Sequence, residues 1–341
     1  MSLETCWLAL LGLLLAGYFV LGGYDYGVQM LHPFLGGRDR GDPERTGHHA
    51  ALEAVAPFFL GNEVWLVAFA GVLFGAFPHL EGTLLPGLYP LIVAILVGLV
   101  LGNAAVQLRG RARTERGRRR WGALIVFGGA VPALCWGLLL GLLLHGVPRR
   151  ADGSFHIALG DVFTPFVVAC GVTVVPLFAA HGAAFVALRS APALASEAQR
   201  LGTGLLRAAG AAALLPVLLT LFGAGAALTN PGTSAALTAL FGMALTGAWW
   251  CLSRGRHGRA FAATCCATML PVPIVGAGHY PYVLISSSGP GMTVGEAVTD
   301  GATLRILTVF GIVLIPVILA YQTWSWWAFR GRTGRRHPRY F

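Results

Sequence analysis

The chain has 341 residues, 56% of them hydrophobic and only 11% charged, and its mean hydropathy is +0.69. A charged fraction less than half that of ordinary soluble domains excludes a water-filled environment for most of its surface. The formal net charge of +10 is carried by 24 arginines and no lysine. These lie between apolar runs of membrane length, which excludes a nucleic-acid footprint and makes them topology determinants.

A bilayer core takes about 20 apolar residues per helix. On that ruler nine spans are predicted, at about 4–22, 55–78, 83–108, 122–145, 162–188, 204–227, 235–252, 260–279 and 303–328. The first has no basic stretch before it, and Glu4 precedes its apolar run, so it reads as a permanent helix rather than a leader. Arginines cluster at Arg38–Arg45, Arg109–Arg120, Arg189–Arg207, Arg254–Arg259 and Arg330–Arg339, all in alternate connections. Only Arg149, Arg150 and Arg305 fall on the other side. Arginine is retained in the cytoplasm during insertion, so the N-terminus is placed outside and the C-terminus inside, as an odd number of spans also requires.

Short outer connections are marked by Pro78–Gly82, Gly146–Gly160 and Thr229–Ser234, and a longer one by the Ser/Gly-rich stretch at about 280–302. Nothing is long enough for a separate soluble unit. Residues 1–341 read as one polytopic, all-α membrane domain of a bacterial cytoplasmic membrane. The six cysteines show no C-x-x-C spacing, so no metal site or disulfide framework is predicted.

Ionisable groups inside spans are costly and mark function by default. Asp25 stands at the predicted cytoplasmic end of the first span, and Glu63 lies within the second, with no arginine in its own helix. Asn103 and Gln107 lie near the end of the third. Both carboxylates are candidates for a proton path; the plainer reading makes Asp25 a hydrogen-bonded helix-end residue and Glu63 a hydrogen-bonded interface residue. Of the ten histidines only His181 is well inside a span, where a packing role outweighs a ligand role. Haem iron requires an axial His, Met, Cys or Tyr, and the sequence offers no histidine pair on one turn of a span.

The run Gly17 to Gly36, with Gly22-Gly23-Tyr24-Asp25-Tyr26-Gly27 at its centre, resembles the start of subunit II of cytochrome bd-type quinol oxidases. The match continues through Ala56-Pro57, Gly61-Asn62-Glu63-Val64-Trp65, Gly71 to Pro78 and Gly87-Leu88-Tyr89, and returns at Tyr282–Ser288 and Ile315–Tyr321. The resemblance implies two four-helix bundles plus one peripheral helix. It also implies a heterodimer with subunit I, which holds haem b, haem d and the quinol site, and it allows a small single-span subunit. Around them lie membrane lipid and the quinol pool. This chain would be the non-haem-ligating subunit, a scaffold with apolar O2 access beside Trp65 and proton uptake through Asp25. Gly23, Tyr24, Gly27, Gly61, Asn62 and Pro78 are its expected structural motif.

The sequence departs from that pattern where the family has an acidic residue (Gly22 here), Trp-Asp before Gly-Asn (Phe59-Leu60 here) and an arginine near the end of the third helix (about Gly102 here). Glu63 is the residue available to take over a proton role. Two other readings stand beside the oxidase: a secondary transporter, for which Pro216 and Pro271-Val272-Pro273 interrupt spans, and a diverged structural subunit of another complex.

Overall fold

A computed structural model describes residues 2–35, 47–112, 114–148, 157–287 and 291–329. The arginine groups at 38–45 and 330–339, Arg113, Arg149 and Arg150 lie outside the described residues, as does the side chain of Leu60. The helices are α1 (Leu3–Leu31), α2 (Gly47–Val55), α3 (Phe59–Ala76), α4 (Pro78–Leu108), α5 (Glu115–His145), α6 (Leu159–Val162), α7 (Pro165–Arg189), α8 (Pro192–Leu221), α9 (Pro231–Ser253), α10 (His257–Met269), α11 (Pro271–His279), α12 (Val294–Ala297) and α13 (Gly301–Ala328). A two-stranded hairpin joins β1 (Tyr282–Leu284) to β2 (Met292–Thr293).

The helix starts follow local chemistry. The hydroxyls of Ser2, Thr114 and Thr164 accept from the backbone N–H three residues on, and Pro78, Pro165, Pro192 and Pro231 supply a preset φ in the first turn. Among the described residues eight helices, counting α10 and α11 as one, are long and apolar enough to cross a bilayer; the described apolar part of α3, Gly61–Ala76, is shorter. These nine correspond one to one with the predicted spans.

Several boundaries differ from prediction, two of them with consequences for charged residues. The first helix continues to Leu31, so Asp25 lies inside it rather than at its end. Its run of glycines does not break it, because Gly23 and Gly27 face α7 at close range. Helix α8 begins at Pro192 rather than at about 204, so Arg200, expected in a loop, is helical; its 30 residues are about 45 Å long, half as long again as a bilayer core. Arg305, inside the span predicted at about 303–328, lies in the first turns of α13.

Helices α1, α3, α4 and α5 pack in one group, and α7, α8, α9 and α10–α11 in another. The first and fifth helices both lie against α7 and join the groups. The last helix packs chiefly on α3, with 6% of its apolar span buried. This is two four-helix bundles and a peripheral helix. The joint is drawn tight at Gly27 and Gly182, where a side chain on either would strike the other helix's backbone.

The face opposite the arginine-rich loops is closed by the hairpin and α12. Leu284, Val294, Ala297 and Val298 cover Trp7, Leu11, Leu73, Phe77 and Leu80, so this irregular backbone is shielded by protein. Asp300 caps α13, accepting from Ala302 N, Thr303 N and Thr303 Oγ1 at 2.9, 3.0 and 2.6 Å. The Thr303 bonds hold its carboxyl below the usual aspartate range. A depressed carboxyl stabilises the cap above its ordinary value near 4 and loses it as pH falls through the lower, folded value. Protection of the Ala302 and Thr303 amides, taken against the intrinsic exchange rate at each pH, should therefore fall below about pH 4 but stay unchanged between pH 6 and 8; Asp300→Ala should show the reduced protection at every pH.

Candidate functional site

Asn62 and Glu63 are consecutive on α3 and therefore point about 100° apart. One faces α1, the other α4. The buried Asn62 amide donates to Asp25 Oδ2 at 2.8 Å and to the Tyr24 hydroxyl at 2.6 Å, with Leu21 O at 3.3 Å sharing one of its two hydrogens. Its own oxygen accepts from Gln322 Nε2 of α13 at 3.4 Å. One asparagine thus ties three helices around Asp25, which is 5% exposed. Asp25 Oδ1 accepts no hydrogen bond from the described residues.

On the other side of α3, the half-buried Glu63 Oε1 accepts from Asn103 Nδ2 of α4. Its partner is an amide brought from the next helix, the hydrogen bond that the plainer reading of Glu63 expects. Among the described residues neither Asp25 nor Glu63 is ion-paired to an arginine.

Further polar groups continue along α1. The Tyr18 and Tyr26 hydroxyls share a hydrogen bond, with the Trp136 ring 5.8 Å from that of Tyr18. The buried Gln29 places Oε1 between Gly102 and Gly128. Sequence reading missed the tyrosine pair, Gln29 and Gln322; amides and hydroxyls on spans were the available signal, but only packing reveals which of them meet.

The departures from the family pattern have steric causes here. A Cβ at Gly102 would lie 2.6 Å from Gln29 Oε1 and 2.8 Å from Gly128 Cα, so α4 and α5 cross where an arginine was expected. A Cβ at Gly22 would lie 2.8 Å from the Tyr18 ring, so a carboxylate there would displace the ring that bonds Tyr26. Phe59 is core, 4% exposed.

The other motif residues resolve as follows. Gly23 approaches Phe178, and Tyr24 stacks on Phe185 with centroids 4.2 Å apart. Gly61 meets Tyr321 at ordinary distance, so its lack of a side chain is not sterically demanded. Pro78 opens α4 immediately after the α3 end. Trp65 is buried with its six-membered ring against Gly17, and its indole N–H finds no acceptor among the described residues.

His181 is fully buried, Nδ1 paired with Thr264 Oγ1 at 2.8 Å and Nε2 with Val20 O at 2.9 Å, its ring stacked on Phe261. Both nitrogens are committed. Among the described residues no three His, Cys, Asp or Glu side chains converge as metal ligands. Around Tyr24 an aromatic cluster of Phe58, Phe185, Phe261 and Trp326 holds the C-terminal end of α13 against the bundles, with the Arg189 guanidinium 5.3 Å from the Phe58 ring.

A family model described as cytochrome bd terminal oxidase subunit II matches residues 3–329. Cytochrome bd ubiquinol oxidase subunit 2 of Bacillus subtilis is 28% identical, covering 99% of this chain and 98% of its own. Cytochrome bd-I ubiquinol oxidase subunit 2 of Escherichia coli K12 is also 28% identical, over 97% of this chain and 95% of its own. In three dimensions a chain of the bd oxidase from Geobacillus thermodenitrificans superposes with a TM-score of 0.71, covering 96% of this chain and 98% of that one at 18% identity, a likeness of fold.

Proposed function

This chain belongs to the cytochrome bd terminal oxidase subunit II family and is subunit II of a bd-type quinol oxidase in a bacterial cytoplasmic membrane, and from that premise we propose that it serves the complex without ligating haem, as scaffold, O2 access and proton uptake route. The observation that carries the reading is a family match running from residue 3 to residue 329. It leaves no room for the permease or for a subunit of an unrelated complex.

Cytochrome bd complexes carry haems. In this chain the buried His181 spends both nitrogens on Thr264 and Val20, and the other buried histidine of a described span, His279, is the last residue of α11. We therefore assign haem b, haem d and the quinol site to subunit I, and place the N-terminus outside and C-terminus inside on the arginine asymmetry.

The proton role falls to Asp25 and Glu63. Asn62 fixes Asp25 by Oδ2, leaving Oδ1 as the atom at which a proton is accepted and passed on. Glu63, with Asn103 on Oε1, offers Oε2 in the same way on the α4 side. Trp65, seated on Gly17 among apolar side chains, borders a lining suited to O2, which needs no polar ligand. An apolar groove of about 410 Å³ between α1 and α13, walled by Trp7, Leu10, Gly311 and Pro316, gives O2 a way in from the lipid.

Co-expression with a haem-bearing subunit I, followed by purification through a tag on this chain, tests the reading. A complex with a haem spectrum and quinol-dependent oxygen consumption is expected, while this chain purified alone should bind no haem. A tagged preparation with no haem and no oxygen consumption would overturn it.

A further inference from the structure

A feature remote from the carboxylates carries a separate inference. Helix α9 ends in a turn closed by Gly255 at φ +68°, where Arg256 N–H bonds Cys251 O at 2.9 Å and Gly255 N–H bonds Leu252 O at 3.0 Å. This αL termination turns the chain back over the helix end. Both Arg254 and Arg256 are thereby placed on one ring, with guanidinium carbons 5.3 and 5.1 Å from the Trp250 centroid. Both arginines are exposed, and among the described residues neither is in an ion pair.

Trp249 and Trp250 also bound one end of an open, shallow hollow of about 710 Å³ along one face of α9, lined by Ala239, Gly242, Met243, Thr246 and Gly247 of that helix alone. Glycine, alanine and threonine make its floor, and the Thr246 hydroxyl turns inward to Gly242 O at 2.8 Å, so the floor is apolar. From Ala239 to Trp250 the groove runs eleven residues, about 16 Å. Two positive charges on an aromatic ring at the arginine-rich face thus crown an apolar slot within the hydrocarbon depth. Single interfacial tryptophans and arginines are general features of membrane proteins; two guanidiniums held on one ring by a fixed turn, continuous with a slot, are a site with charge and shape.

We propose that this face of α9 binds an anionic phospholipid, its phosphate between Arg254 and Arg256 and one acyl chain along Gly242 and Gly247. The basic headgroup pockets of other membrane proteins combine the same parts. Each surface arginine contributes about fivefold to the affinity for an anionic lipid, so removing two costs about thirtyfold.

The experiment is native mass spectrometry of the purified complex released from nanodiscs of phosphatidylglycerol or of phosphatidylcholine. Wild type should retain phosphatidylglycerol and not phosphatidylcholine. The double variant Arg254→Gln/Arg256→Gln should lose that retention by about thirtyfold, and Gly247→Leu, which fills open space in the slot, should lose it with both arginines present. Arg116→Gln, an exposed arginine on α5, should retain it. Three results would overturn the proposal: equal retention by the double variant, displacement of the lipid by millimolar inorganic phosphate, or loss of subunit I from either α9 variant with lipid retention intact. Retention is read on this chain, so it is scored even if the oxidase activity fails to appear.

Discussion

Gly102→Arg, which would restore the arginine that the family resemblance leads one to expect, should abolish assembly rather than recover a lost function. The backbone of Gly128 and Oε1 of Gln29 occupy the space a side chain would need. Overpacking a core commonly costs 1–3 kcal/mol when side chains can yield. Here the obstacle is a helix backbone, so the cost should reach at least about 3 kcal/mol, and α4 must leave α5. The expected result is a drop of tenfold or more in membrane-inserted, subunit I-bound protein, read from tag purification and haem absorbance. Gly102→Ala should fall between, because its Cβ alone meets Gly128 Cα. Gly71→Ala, with nothing within 4 Å of the new methyl, should assemble as wild type. Normal assembly of Gly102→Arg would show that the α4–α5 crossing is not as close as described.

The second large effect is on turnover. Asp25→Asn keeps the shape of the site and a hydrogen bond to Asn62, but removes the proton-carrying atom pair; Glu63→Gln does the same beside Asn103. A positioned proton donor or acceptor is worth about 10²–10⁴ in rate, and a path with two candidates shares that dependence. Each single variant should slow quinol-dependent oxygen consumption by about tenfold, or about 1.4 kcal/mol, with haem content and yield unchanged. The double variant should be slower than either if the two lie on one path. Wild-type turnover in both single variants would place proton uptake wholly in subunit I. Replacing Asn62 separates position from chemistry: Asn62→Leu leaves Asp25 and the Tyr24 hydroxyl without their donor, at about 1–3 kcal/mol per buried group, and should harm assembly first.

The sequence by itself determined what depends on one helix at a time. Hydropathy and length placed the apolar helices, because a helix in lipid must satisfy its backbone internally and be apolar for about 20 residues. Arginine placement set the expected sidedness. The Gly-Tyr-Asp and Gly-Asn-Glu-x-Trp runs were legible as a family pattern, and Asp25 and Glu63 were legible because a carboxylate inside a span is conspicuous whatever its neighbours. The end of the first helix was not legible: three glycines and an aspartate at 22–27 read as a terminus, whereas Gly27 lets α7 approach and so holds the helix together through Leu31.

What only the tertiary structure decided is which polar groups meet. Asn62 lies 37 residues from Asp25 and 260 from Gln322, and Glu63 lies 40 from Asn103. No periodicity along the chain encodes those pairings, because they arise from the rotation and crossing of helices fixed by small residues at Gly27–Gly182 and Gly102–Gly128. The Gly102–Gly128 crossing also leaves no room for the expected arginine, and the Tyr18 ring leaves none for the expected acid at Gly22. Sequence pattern shows which residues a membrane helix tolerates; close backbone packing decides which of them touch, and therefore where a proton can be held.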